Sequence, residues 1–135
     1  SARRDARLRE PAREARGQVG LAARADVIAG HLSHGEHRQL EIALAIVTKP
    51  RMLLLDEPMA GMAPEESRRL VALLREFKGS LAILLVEHDM EAVYALADRI
   101  SVMVNGRIIA SGSAEEIRGD AAVKRAYLGD REARP

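Results

Sequence analysis

The spacing of apolar residues changes several times along the chain, and each change predicts an element. Leu40, Ala43, Leu44 and Val47 recur at helical spacing behind Ser33 and Glu36. That pair has the three-residue separation of a capping box, so a helix is expected from near Ser33 to about Lys49, where Pro50 stops it. Met52-Leu53-Leu54-Leu55 then runs without a polar break into Asp56-Glu57-Pro58, the pattern of a short strand buried on both faces. Leu70, Leu73, Leu74 and Phe77 make the next helical stripe, opened by Pro64, Glu65 and Glu66 and closed by Gly79. Leu81 to Val86 is a second wholly apolar strand, so strand, helix and strand follow one another at the length of a parallel βαβ unit.

Beyond Glu87-His88-Asp89, a helix is marked by Met90, Val93, Tyr94 and Ala97. Ile100 to Val104 and Arg107 to Ala110 flank Asn105-Gly106, a strong signal for a two-residue hairpin. Ser113 and Glu116 repeat the capping-box spacing, and a last helix is expected over Ala121 to Leu128. At the other end, Ser1 to Ala25 is rich in Arg, Ala and Glu, with Pro11 in its middle and Gly17 and Gly20 near its end. This reads as helix, helix, then loop, with charges alternating in sign as on a solvated face. The fold class is α/β: a parallel βαβ core, then a β-hairpin and C-terminal helices.

Composition narrows the picture. The 135 residues suffice for one modest domain, and 47% apolar with 2% aromatic residues means an aliphatic core. Lys and Arg number 21 against 20 Asp and Glu, a net charge of +1, so the simplest argument for nucleic-acid binding is lost. The absence of cysteine excludes disulfides, Cys-based zinc sites and thiol catalysis. No apolar run approaches the roughly 20 residues of a membrane span, and no signal-peptide pattern opens the sequence. A soluble intracellular protein is the expectation.

Candidate chemistry gathers at the strand ends. In open α/β sheets ligands bind at the carboxyl ends of parallel strands, and here Asp56-Glu57 and Glu87-His88-Asp89 both occupy such ends. A nucleotide hydrolase needs one carboxylate that reaches Mg²⁺, usually through water, and a second that holds the attacking water in line with the γ-phosphate. The pair is also compatible with an ordinary solvated strand end. The Ser33-His34-Gly35-Glu36 turn opens a helix, where backbone N–H groups and the helix dipole suit phosphate, although by itself it is an ordinary N-cap. His31, His34 and His37 fall three residues apart and raise a metal reading. Leu32-Ser33 and Gly35 mark a turn there rather than a helix, which disfavours it.

Taken in order, these motifs resemble the ATP-binding cassette ATPases. Leu32-Ser33-His34-Gly35-Glu36 is similar to the family's signature motif, Met52 to Asp56 to its Walker B strand, and Glu57 to its catalytic glutamate. Met59 to Pro64 is similar to its D-loop and His88 to its switch histidine. Within the family, several stretches resemble the ATPase subunits of branched-chain amino acid importers. They are Ser33 to Glu36 with Arg38-Gln39-Leu40-Glu41-Ile42-Ala43, Ala60-Gly61-Met62, Val86 to Met90, and the tail from Glu116-Ile117-Arg118 to Ala126-Tyr127-Leu128-Gly129.

The resemblance implies that Asp56 organises Mg²⁺ through water, Glu57 polarises the hydrolytic water and His88 contacts the γ-phosphate. It also implies that Leu32, Ser33, His34, Gly35 and Glu36 close over ATP held by a partner ATPase in a head-to-tail dimer. Gly61 and Ala63 would then lie at the dimer seam. Two residues depart from the pattern: His34 stands where the consensus has Gly, and Ala63 where many relatives carry Asp. ATP and Mg²⁺ are the implied cofactors. Transmembrane permease subunits are the implied partners, with an external binding protein acting indirectly, and the implied place is the cytoplasmic face of the bacterial inner membrane.

No G-x-x-x-x-G-K-[ST] occurs in the sequence. The chain is therefore expected to correspond to the C-terminal half of a nucleotide-binding domain and not to bind ATP tightly alone. Residues 1–31 would end the helical subdomain, 32–112 would carry the RecA-like core portion, and 113–135 the C-terminal helices and tail. Without a Walker A strand beside it, aliphatic sheet surface is left uncovered, and self-association is expected. Two alternatives stand beside transport: a non-catalytic interaction module, and a soluble ATPase of the repair or translation type. The latter typically carries long coiled-coil or paired-domain insertions, and this sequence shows neither sustained heptads nor extra basic patches.

Overall fold

The computed structural model describes residues 6–132, with side chains described for 7–126. It divides into two compact units, one ending at Ala92 and one beginning at Val93.

In the first unit, α1 (Ala6–Gln18) packs against α2 (His34–Ile46), and two short 3₁₀ turns, Ala22–Arg24 and Ala29–His31, lie between them in sequence. The expected break at Pro11 does not occur, because Pro11 lies inside a single helix. Proline removes one N–H and strains one turn, and the Ala-, Arg- and Glu-rich flanks favour helix on both sides. Ser1 to Asp5 lie outside the described residues. The helix predicted to reach Lys49 stops at Ile46. Thr48 Oγ1 donates to the Ala45 carbonyl, and Lys49, just before Pro50, turns to a positive φ of 53°. The residue preceding proline is pushed out of the helical region. Ile42 and Ala43 are the buried residues late in α2, while Leu44 and Val47 from the predicted stripe are exposed.

β1 (Met52–Asp56) and β2 (Ala82–Val86) pair in parallel, Met52 opposite Ala82 and Asp56 opposite Val86, with α3 (Pro64–Phe77) between them in sequence. The βαβ reading therefore holds, and Leu70, Leu73 and Leu74 of α3 are buried as its stripe predicts. The expectation that both strand faces are buried does not hold. Along β1 and β2, Met52, Leu54, Ala82, Leu84 and Val86 are exposed, and the alternate positions Leu53, Leu55, Ile83 and Leu85 are buried or half-buried. A strand sends successive side chains to opposite faces, so one face of this two-stranded sheet is open among the described residues.

In the second unit, β3 (Ile100–Val104) and β4 (Arg107–Gly112) form an antiparallel hairpin through Asn105-Gly106. Both turn residues have positive φ, 47° and 75°, as the mirror-image turn of a two-residue hairpin requires. Ile100, Val102, Ile117 and Val123 form the core of this unit, with Val93, Tyr94 and Ala97 of α4 (Met90–Leu96) and its end packed around them. Arg118 of α5 (Ala114–Gly119) stacks 4.2 Å over the Tyr94 ring. The Ser113–Glu116 capping box is formed at the start of α5. Asp120 accepts from the Ala122 and Val123 amides and starts α6 (Ala121–Glu132). The side chains of Tyr127, Leu128 and Gly129 lie outside those described.

Candidate functional site

Asp56 is the last residue of β1 and its side chain is exposed on the open face of the sheet. The next residue leaves the strand abruptly: Glu57 has φ 43°, a left-handed conformation that costs a residue with a Cβ about 1–2 kcal/mol. The Glu57 amide still donates to the Val86 carbonyl at 2.8 Å, so the chain bends while anchored to β2. This bend brings Glu57 Oε1 to 3.4 Å from His88 Nδ1, and the pair is ionic when the imidazole is protonated. Strain of this kind at a strand end accompanies functional sites when the surroundings hold it in place. The predicted meeting of the two ionisable clusters is realised through Glu57 and His88.

The loop after Glu57 folds tightly. Ala60 N donates to the Glu57 carbonyl and Met62 N to the Met59 carbonyl, each at 3.1 Å, and Gly61 takes φ 74°. Pro58 and Met59 are buried and anchor the loop. Ala63 precedes α3, and the Glu66 carboxylate reaches back to accept from its amide at 3.2 Å. Alanine has no oxygen with which to reciprocate, so only half of a capping box exists here.

The Leu32–Glu36 turn is built as its spacing predicts. Leu32 is extended and half-buried, and Ser33 caps α2 by accepting from the Glu36 amide at 3.2 Å. Glu36 returns the bond by accepting from the Ser33 amide at 2.8 Å, and its other oxygen pairs with Arg24 at 2.7 Å. These contacts, the Ser33 amide first and Arg24 after it, hold the Glu36 carboxyl below the usual carboxylate range. His34 donates from Nε2 to the Ala60 carbonyl at 3.1 Å, which ties the turn to the loop after β1. Ser33 Oγ also lies 3.4 Å from Glu66 Oε1. Gly35 is buried, and a Cβ built on it would stand 2.9 Å from that same oxygen.

The fold thus brings together Glu57 with His88, and His34 with the loop containing Gly61. Among the described residues, no hydrogen bond or ion pair joins the Ser33–Glu36 turn to Asp56, Glu57 or His88. The His31, His34 and His37 side chains do not form a metal site: among the described residues no group of three or more His, Cys, Asp or Glu side chains could hold an ion. Asp56 offers one exposed carboxylate, a hard oxygen donor that fits a Mg²⁺ ion drawing its remaining ligands from phosphate and water. Sequence reasoning gave Glu66 only a place at the start of a helix, not its link between Ser33 and Ala63, and gave Glu87 only a place in the strand-end cluster, not its buried carboxylate. Glu66 had a signal in its three-residue distance from Ala63; Glu87 had none beyond its place in the strand-end cluster.

Residues 2–60 match the family model described as "ABC transporter", and residues 107–133 match "Branched-chain amino acid ATP-binding cassette transporter". The high-affinity branched-chain amino acid transport ATP-binding protein LivG of Salmonella typhimurium is 44% identical over 115 residues, 84% of this chain and 45% of the relative. BraF of Pseudomonas aeruginosa, with the same description, is 42% identical with the same coverage. Among solved structures, the ADP conformation of MJ1267, an ATP-binding cassette of an ABC transporter, aligns with TM-score 0.84 and 31% identity, covering 93% of this chain and 52% of that one. The cbiO1 protein of Clostridium perfringens aligns with TM-score 0.78 and 30% identity, covering 89% and 49%. The chain spans about half the length of the curated relatives it matches. Its matched segments, its fold and the order of its motifs agree: the chain belongs to the ATP-binding cassette transporter family, and its similarity falls with the branched-chain amino acid ATP-binding proteins.

Proposed function

We propose that this chain is the C-terminal half of the ATPase subunit of an importer for branched-chain or related amino acids. The observation that carries the reading is the Glu57–His88 pair, 3.4 Å apart at the ends of two parallel strands. Glu57 accepts a proton from the attacking water, and His88, whose Nδ1 lies 3.4 Å from that carboxylate, contacts the γ-phosphate. Asp56, exposed at the end of β1, would hold Mg²⁺ through water. Bound ATP with Mg²⁺ supplies the γ-phosphoryl group and the charge that the ion neutralises. The Ser33–Glu36 turn offers its hydroxyl and helix N-terminus to nucleotide on a second ATPase subunit, with Gly61 and Ala63 at the seam.

The division into segments 1–31, 32–112 and 113–135 follows from the same reading. No Walker A sequence is present, so phosphate has no cradle in these residues and the chain alone does not turn over ATP. Among the described residues no helix is long and apolar enough to cross a membrane. Permease subunits supply the membrane passage, and the ATPase docks on their cytoplasmic side. In the chain alone, the open face of the β1–β2 sheet, with Leu54, Leu84 and Val86 each more than half exposed, is covered by a second copy.

Calorimetry with ATP and Mg²⁺ tests the central claim. The chain is expected not to bind, and an intact subunit containing it is expected to bind and hydrolyse. In that subunit Glu57→Gln is expected to keep binding and lose turnover. Tight binding by the chain alone, or wild-type turnover by the variant, would sink the reading.

A further inference from the structure

Glu87 directly follows β2 beside the proposed hydrolytic pair, and its environment is opposite to theirs. Its side chain is 1% exposed, whereas those of Glu57 and His88 are 53% and 72% exposed. A buried carboxylate must find donors for its oxygens or become costly to keep ionised. Both oxygens of Glu87 are used. Oε1 accepts from the Met59 amide at 2.9 Å, 28 residues away in sequence, and Oε2 accepts from the amides of His88 at 3.0 Å and Asp89 at 3.3 Å. The protonatable Nδ1 of His88 lies 4.0 Å from Oε2, at the edge of ion-pair range.

These bonds join two loops that β-sheet pairing alone does not join. The ladder ends at Asp56 and Val86, with one further bond from Glu57 N to the Val86 carbonyl. Beyond that point the loop from Glu57 to Ala63 and the loop from Glu87 to Asp89 meet at the exposed Glu57–His88 pair and, in the interior, at the Glu87 carboxylate, which bonds to backbone of both. Met59 is two residues from Glu57 in the same tight turn, so fixing its amide fixes the bend that aims Glu57. Asp89 accepts from the Glu91 and Ala92 amides at the start of α4, so the second loop is anchored in turn.

We infer that Glu87 is a positioning residue that sets the distance between Glu57 and His88 by clamping the backbone of both loops. The inference rests on the hydrolytic reading of that pair, and the clamp itself is observable without hydrolysis. A carboxylate suits the task because it accepts on both oxygens. Glutamine at the same place keeps one arm and turns an N–H₂ toward the amides of the other.

The test compares Glu87→Ala and Glu87→Gln in the intact subunit. Because small misplacements of reacting groups are costly, kcat is expected to fall about 10- to 100-fold in Glu87→Ala. The KM for ATP is expected to stay within about twofold, since the positioning of Glu57 and His88 that Glu87 enforces matters in the transition state and not for ground-state binding. Glu87→Gln is expected to recover part of kcat. In the chain itself, amide hydrogen exchange at Met59, His88 and Asp89 is expected to accelerate in Glu87→Ala. Wild-type kcat in Glu87→Ala, or loss of kcat only in step with loss of thermal stability in both variants, would overturn the inference. His88→Ala run alongside separates the two readings. Full turnover there would remove the hydrolytic reading, whereas unchanged exchange at Met59 and His88 in Glu87→Ala would remove the clamp.

Discussion

His34 Nε2 lies 3.1 Å from the Ala60 carbonyl oxygen, so the first residue of α2 is hydrogen-bonded to the loop that follows β1. A carbonyl only accepts, which places the ring proton on Nε2. The usual glycine at this point of the signature motif has no side chain to make such a bond. His34→Ala removes it from an exposed position, where a neutral hydrogen bond contributes about 0.5–1.5 kcal/mol, and alanine's better helix propensity returns a few tenths. Urea unfolding of the chain is expected to show a net loss below about 1 kcal/mol. A gain in stability would mean that the bond contributes nothing in solution.

The left-handed Glu57 makes a prediction that separates backbone from side chain. Glycine adopts φ 43° without the Cβ penalty, so Glu57→Gly is expected to be more stable than Glu57→Ala by about 1 kcal/mol. Neither variant of the intact subunit is expected to hydrolyse ATP. Denaturation midpoints and turnover measured on the same preparations check both statements, and equal stability of the two variants would show that the bend carries no strain.

Gly35 sits where a side chain has no room. An added Cβ would lie 2.9 Å from Glu66 Oε1 and 3.3 Å from Glu66 Cβ. The carboxylate can swing away, but only by giving up Ser33 and the Ala63 amide, and the Cβ is fixed to α3. Alanine inside a helix normally gains up to about 1 kcal/mol over glycine, yet here Gly35→Ala is expected to destabilise by about 1–2 kcal/mol. The penalty should shrink in a Glu66→Ala background, which a double-mutant cycle measures. Full additivity would show that the two residues do not meet.

Acid dependence follows from Glu36. Its carboxyl is held below the ordinary value by the Ser33 amide and then by Arg24. A depressed folded pKa means that the unfolded chain takes up the proton first, so the stabilisation is complete above the ordinary carboxylate value of 4.5 and is lost as pH falls through the lower folded value. Unfolding midpoints between neutral pH and about pH 3 should therefore decline more steeply for the wild type than for Glu36→Gln. Parallel slopes would assign the acid sensitivity elsewhere. Glu116, lowered in the same way by Ser113, predicts the same sign for Glu116→Gln.

The sequence revealed these elements unevenly, for physical reasons. The strands, the hairpin and both serine-led capping boxes depend on local chemistry, so Met52–Asp56, Asn105-Gly106 and the Ser33 cap could be read directly. That the two strand-end clusters converge followed from parallel topology, which places strand ends together; the particular contact of Glu57 with His88 did not. The left-handed turn of Glu57 could not be read, since nothing in Asp-Glu-Pro announces a positive φ. Glu87 was legible only as a member of the strand-end cluster, because its clamping contact is with the Met59 amide, 28 residues away and supplied by backbone. Leu44 and Val47 misled because helical spacing identifies an apolar stripe without saying what covers it.

The β1–β2 sheet likewise presents an apolar face with no cover among the described residues. Leu54, Leu84 and Val86 are 67%, 56% and 55% exposed on one face, while Leu53 and Ile83, one residue away, point to the covered side. Burying a large aliphatic side chain contributes about 1.5–3 kcal/mol, so covering three neighbours offers enough to drive association of the chain with itself. Leu84→Lys places a charge on that face without touching the covered one, and is expected to shift sedimentation toward the monomer with little change in helical signal. Ile83→Lys, on the opposite face, is expected to unfold the chain, which shows that the effect of Leu84→Lys is one of surface rather than core. A wild-type chain that stays a monodisperse monomer in light scattering at high concentration would mean that the open face is left to water.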